Sequence, residues 1–141
     1  MGLLTRIFGR RSLDERLLSG ELSPESGEGK ERAEQLVSPE HRAKCAKALR
    51  DLLEEAFRPH SSFLNANLKV QRQVIREHRQ LILTLADEVE QLPVVNPRGV
   101  ILADRLVTDG ESPMYFPEHL TEDHGEVVTA VERAREALKA V

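Results

Sequence analysis

The chain has 141 residues, of which 40% are hydrophobic and 31% are charged, and its net charge is −4. This length predicts one domain with a modest core, and no apolar run is long enough to span a membrane. With 4% aromatic residues and no Trp, a core of Leu, Val, Ile and Ala favours packed helices over a sheet sandwich. The single Cys45 excludes an internal disulfide and favours a reducing cytoplasm.

Residues 1–18 are predicted to form a basic amphipathic helix. Four apolar residues share one face of this helix and three arginines lie elsewhere on its surface: Leu3, Leu4, Ile7 and Phe8, and Arg6, Arg10 and Arg11. A helix this short is not stable alone in water, so it needs a surface to bind. Its pattern suits an anionic membrane or an apolar groove on a protein partner. The alternative is that it folds back onto the rest of the chain.

Residues 19–37 are rich in Gly, Ser, Pro and Glu and poor in apolar side chains. Such a segment buries too little surface to offset the entropy lost on ordering. The sequence therefore predicts a flexible acidic linker between the N-terminal helix and the body.

Residues 38–141 are predicted to form an all-α bundle of about four helices. The first begins at Ser38-Pro39, a cap followed by Pro, and ends near Phe57. No Gly or Pro interrupts residues 61–92, so we expect one long central helix of about 48 Å. Asn96-Pro97 starts a third helix that ends near Val107, and Thr121 caps a fourth.

Four basic residues repeat along the predicted long helix, away from its apolar stripe: Lys69, Arg72, Arg76 and Arg79. They could hold phosphates of a nucleic acid, which would make the chain a small regulatory or nucleic-acid-associated protein. No aromatic residue interleaves them and the chain is acidic, so a solvated face is the preferred interpretation. Gln71 and His78 occupy the apolar stripe itself and are expected to set helix register.

His41 and Cys45 lie one helical turn apart, the spacing of two metal ligands. A second set of ligand types surrounds the start of the last helix: Glu118, His119, Glu122, Asp123 and His124. Only a meeting of the two sets in space would complete a zinc site, and Cys45 is more simply a core residue. We therefore predict no metal and no cofactor.

Residues 113–117 form an apolar loop that contains Met114, Tyr115 and Phe116. The preferred interpretation is that this loop closes one end of the bundle, with the Tyr115 hydroxyl in water. The alternative is an exposed knob that binds a partner.

The sequence contains no phosphate-binding glycine loop, no His-Glu-x-x-His and no Gly-x-Ser-x-Gly, so no catalytic residue is predicted. The expected function is a non-enzymatic bacterial interaction or adaptor protein. Its body would be tethered by residues 1–18 to a larger protein or to the inner face of the membrane. The length of the central helix also suggests a homodimer. A nucleic-acid partner is not expected.

Overall fold

The structure, a computed structural model, describes residues 12–57, 76–107 and 124–140, without the side chains of residues 55–57 and 124–127. These residues form six α-helices and no strand: α1 Leu13–Ser19, α2 Gly27–Leu36, α3 Pro39–Phe57, α4 Arg79–Gln91, α5 Pro97–Arg105 and α6 His124–Lys139. The all-α class is confirmed. A bundle of only four helices is not, because α1 and α2 add to the four predicted from the body.

Helices α3 and α4 form one of the two most extensive helix pairs in the described chain. Helix α3 begins where the sequence predicts, because the Ser38 hydroxyl accepts a hydrogen bond from the His41 backbone N–H at 3.2 Å. The two helices bury their apolar faces against each other. On the solvent side Arg50 donates to Asp87 at 2.8 Å and to Glu90 at 2.7 Å.

The single long helix predicted over residues 61–92 is not confirmed. Helix α4 begins at Arg79, and His78 before it has φ −110° and ψ 23°, outside the helical range. Arg76 and Glu77 are helical, so His78 separates two helical segments. Residues 58–75, which include Gln71, lie outside the described residues. His78, expected to set register within a helix, instead stands at the start of one.

Helices α5 and α6 form the second extensive pair. Asn96 starts α5 by accepting from the Arg98 backbone N–H, and it also donates to the backbone carbonyls of Leu138 in α6 and of Ala140 just after α6. Gly99 makes the close approach of the two helices possible. A Cβ at this position would lie 2.3 Å from the Leu138 backbone nitrogen.

Helices α1 and α2 pack on α5, and α2 also contacts α3. This is a correction to the predicted linker, since residues 27–36 are helical and Ala33 and Leu36 are buried. Few apolar residues suffice here because both are directed into the core. Leu17 of α1 is buried as well. The C-terminal part of the predicted N-terminal helix therefore packs on the body. The division of the chain into three domains stays a prediction.

One continuous core joins all six helices. Its members come from every helix and from the segments between them: Leu17, Leu36, Cys45, Ala46, Leu49, Leu52, Leu53, Ile82, Leu85, Ala86, Val89, Val95, Val100, Ile101, Ala103, Leu106, Val107, Val131, Ala134 and Leu138. Leu, Val, Ile and Ala dominate this set, as the composition predicts.

Candidate functional site

An open groove lies where α2 turns into α3, and its volume is about 630 Å³. Residues from the end of α2, the turn and the first helical turns of α3 line it: Glu31, Glu34, Gln35, Ser38, Glu40, His41 and Lys44. The sequence does not predict this groove, because residues 19–37 were expected to be a linker. The spacing of Glu31, Glu34 and Gln35 is the signal that places them on one helix face.

The groove is acidic. Glu31, Glu34 and Glu40 are exposed, and no ion pair of theirs occurs within the described residues. Lys44 is the one lysine or arginine in the lining. Three carboxylates against one ammonium group give the groove a negative potential that favours a cationic occupant.

His41 connects the groove wall to α5. Its Nε2 lies 2.8 Å from Oδ2 of Asp104, near the end of α5, and both side chains are partly exposed. Cys45, one turn further along α3, lies behind this pair and is buried. Burial raises the pKa of the Cys45 thiol, and the neighbouring Asp104 carboxylate raises it further. The raised pKa favours the protonated thiol at neutral pH, which agrees with the buried position of Cys45 in the core.

The metal site considered above as an alternative for His41 and Cys45 has no third ligand in the described part of the chain, where no group of three or more His, Cys, Asp or Glu side chains is arranged to hold a metal. Residues 118–123 lie outside the described residues. His124 begins α6, but its side chain is not described.

An ion pair fixes the start of α1 at the edge of the groove. Arg32 donates from Nε to Asp14 Oδ1 at 2.7 Å and from Nη2 to Asp14 Oδ2 at 3.0 Å. The hydrogen bond to Asp14 raises the pKa of Arg32, and partial burial opposes that effect. Arg32 also donates to Gln35, a groove residue, at 3.3 Å. Asp14 and the groove are thus joined through one side chain.

Most of the predicted site residues lie outside the described residues. Leu3, Leu4, Arg6, Ile7, Phe8, Arg10 and Arg11 precede residue 12, and Lys69, Arg72, Met114, Tyr115 and Phe116 fall in the two internal gaps. Of the basic set, Arg76 and Arg79 are described, and both are exposed on either side of His78. The predicted basic stripe and the predicted loop therefore stay predictions.

Within the described ranges, no helix is long and apolar enough to cross a membrane. Comparison with known proteins identifies no relative: no family model, no curated protein and no solved structure matches this chain.

Proposed function

We propose that this chain is a non-enzymatic bacterial interaction protein that binds reversibly to the inner face of the cytoplasmic membrane through residues 1–11, called the tail below. The observation that carries the proposal is the attachment of α1 to the bundle. Leu17 is buried, Asp14 pairs with Arg32, and the Leu17 carbonyl accepts from Arg98 Nε at 3.0 Å. Because α1 directly follows the tail and packs on the bundle, a membrane that binds the tail would hold the bundle close to its surface.

The charge distribution supports the tail as the membrane contact. The tail carries three arginines, and the rest of the chain has a net charge of −7 when they are subtracted from the total of −4. Each arginine contributes about 1 kcal/mol near an anionic surface, whereas the acidic body is repelled. Binding would thus be oriented, weak and sensitive to salt. The bundle would then be the part that recruits a protein partner.

Co-sedimentation with phosphatidylglycerol-containing vesicles tests the proposal in the full chain. We expect the native chain to pellet at low salt and to be released at high salt, because the attraction is mainly electrostatic. Reversing the tail charge with Arg6→Glu, Arg10→Glu and Arg11→Glu should abolish pelleting.

The matched control reverses three exposed basic residues on the body: Lys30→Glu, Arg105→Glu and Arg133→Glu. This variant has the same net charge as the tail variant and should still pellet. Equal loss of binding in both variants would show that overall charge, not the tail, decides the interaction. Failure of the native chain to pellet at low salt would exclude the membrane.

The alternative function, a regulatory or nucleic-acid-associated protein, depends on a basic stripe that includes Lys69 and Arg72. Those two residues lie outside the described residues, and no observation favours this function over the first.

A further inference from the structure

We infer that the acidic groove between α2 and α3 binds the tail of its own chain, so that groove and membrane compete for the same residues. The competition rests on the proposed function, because it requires that the tail binds the membrane. The contact between tail and groove does not depend on that function. The inference follows from the charge of the groove, the position at which the tail joins the bundle, and the length of the tail.

Charge is the first argument. Glu31, Glu34 and Glu40 line the groove and have no ion pair among the residues that the structure describes. Lys44 offsets one of these charges, and His41 is paired with Asp104. The tail supplies three arginines, whose guanidinium groups donate to carboxylates in a planar fork. A cationic segment therefore fits this groove better than an anionic one.

Position is the second argument. The tail is followed directly by Ser12, whose hydroxyl caps α1 by accepting from the Glu15 backbone N–H at 3.1 Å. Two residues later, Asp14 accepts a hydrogen bond from Arg32. Arg32 also donates to Gln35, which lines the groove. The tail therefore joins the bundle beside the rim of the groove and not on the opposite side of the molecule.

Length is the third argument. Eleven residues span at most about 36 Å when fully extended, which is ample for a groove whose rim is next to the attachment point. A segment tethered this closely faces the groove at an effective concentration in the millimolar range. Weak ionic contacts are then sufficient for substantial occupancy, whereas the same peptide free in solution would bind poorly.

Paramagnetic broadening in the full chain tests the contact directly. A nitroxide label is attached at Thr5→Cys; the native Cys45 should not react, because it is buried and its pKa is raised. At low salt we expect the amide signals of Glu31, Glu34 and Lys44 to broaden more than those of exposed residues on α6. High salt should restore them, because it screens the ionic contacts.

Two charge-matched variants provide the comparison. Glu31→Gln, Glu34→Gln and Glu40→Gln neutralise the groove, whereas Glu25→Gln, Glu132→Gln and Glu136→Gln neutralise exposed residues elsewhere. Broadening at the groove should be lost in the first variant and kept in the second. Broadening that is uniform over the surface, or that survives in the groove variant, overturns the inference. Broadening between labelled and unlabelled copies in a mixture would assign the groove to a second copy and overturn it as well.

Vesicle binding then separates the inference from the proposed function. If groove and membrane compete, the groove variant should bind anionic vesicles at least about threefold more tightly than its charge-matched partner, since the tail is released. Broadening without vesicle binding leaves the groove contact standing and removes the membrane. Vesicle binding without broadening supports binding of the tail to the membrane and excludes its contact with the groove.

Discussion

Gly99 illustrates how the absence of one side chain determines the distance between two helices. Its position on α5 faces the backbone of Leu138 on α6, where an added Cβ would lie 2.3 Å from the nitrogen and 2.4 Å from Cα. Backbone atoms of a packed helix pair cannot move aside as a flexible side chain can. The neighbouring backbone bond from Asn96 N–H to the Leu138 carbonyl, 2.9 Å long, further fixes the spacing.

Replacing Gly99 by Ala should therefore destabilise the protein. Ala favours a helix interior by about 1 kcal/mol over Gly, but overpacking a fitted contact costs about 1–3 kcal/mol, and here the contact is with backbone. We expect a lower free energy of unfolding in urea. Arg105→Ala, at an exposed position on the same helix, is the control and should change stability little. A gain in stability for Gly99→Ala would mean that α5 and α6 lie further apart.

The sequence alone cannot identify the role of Gly99. A lone Gly in a predicted helix lowers helix propensity wherever it stands, and nothing local reveals which neighbour it admits. Cys45 is different, because its place in an apolar stripe predicts burial, and the structure confirms it. The burial of a residue can be predicted when it follows from the apolar pattern of its own helix. A contact with a helix that is distant in the sequence cannot be predicted in this way.

Among the helices, α4 and α6 are joined by a compact ionic cluster. Glu88 on α4 accepts from Arg135 and pairs with Lys139 at 2.6 Å, both on α6. Burial of Glu88 opposes its ionisation, but the hydrogen bonds from Arg135 and Lys139 and the positive charges of these two residues together outweigh burial, so the pKa of Glu88 is lowered. The cluster therefore stabilises the folded state only while Glu88 is ionised.

Glu88→Gln should reduce stability at pH 7 by about 1 kcal/mol, because two charge-assisted hydrogen bonds are weakened. Since the pKa of Glu88 is lower in the folded than in the unfolded chain, its contribution is complete above the ordinary value of about 4.5. That contribution is lost as the pH falls through the lowered folded value. The difference between native and variant chains in urea unfolding should thus shrink below about pH 4.5.

Glu136→Gln, exposed on α6, provides the baseline for the general effect of removing one carboxylate. A Glu88→Gln deficit that stayed constant down to pH 3 would contradict the assigned ion pairs.

The helices differ in how well local patterns predict them. Helices α3 and α5 begin where a cap and a proline indicate. Helix α2 escapes prediction because its sequence is mostly Gly, Glu and Lys. Contacts of Ala33 and Leu36 with the core, and of Gly29 against the Ser23 carbonyl, explain its packing. Ser23 is close to Gly29 in the sequence, but the core residues that cover Ala33 and Leu36 come from other helices and are not visible in a local window.

At the scale of the whole molecule, α1 and α2 are integral to the core and not an appendage to it. Removing everything before Ser38 deletes Leu17, Ala33 and Leu36 and uncovers the surfaces of α3 and α5 on which they pack. Each large buried side chain contributes on the order of 2 kcal/mol. Total stability is only about 5–15 kcal/mol for a domain.

A chain that starts at Ser38 should consequently melt well below the native chain and bind the dye ANS through its exposed apolar surface. A chain that starts at Ser12, which keeps both helices, should melt close to the native protein. Calorimetry measures the melting temperatures of the three chains, and ANS fluorescence measures their exposed apolar surface. Equal melting temperatures for the native and Ser38 chains would show that α1 and α2 add little to the fold.

The bond from Arg98 to the Leu17 carbonyl joins residues 81 positions apart, and this separation has a consequence for biosynthesis. Leu17 leaves the ribosome long before Arg98 has been translated, and the α5 surface that covers α1 does not yet exist. Helices too short to persist alone must therefore wait, with their apolar residues exposed, until most of the polypeptide has emerged. Helix α1 therefore completes its native contacts only after α5 has been translated.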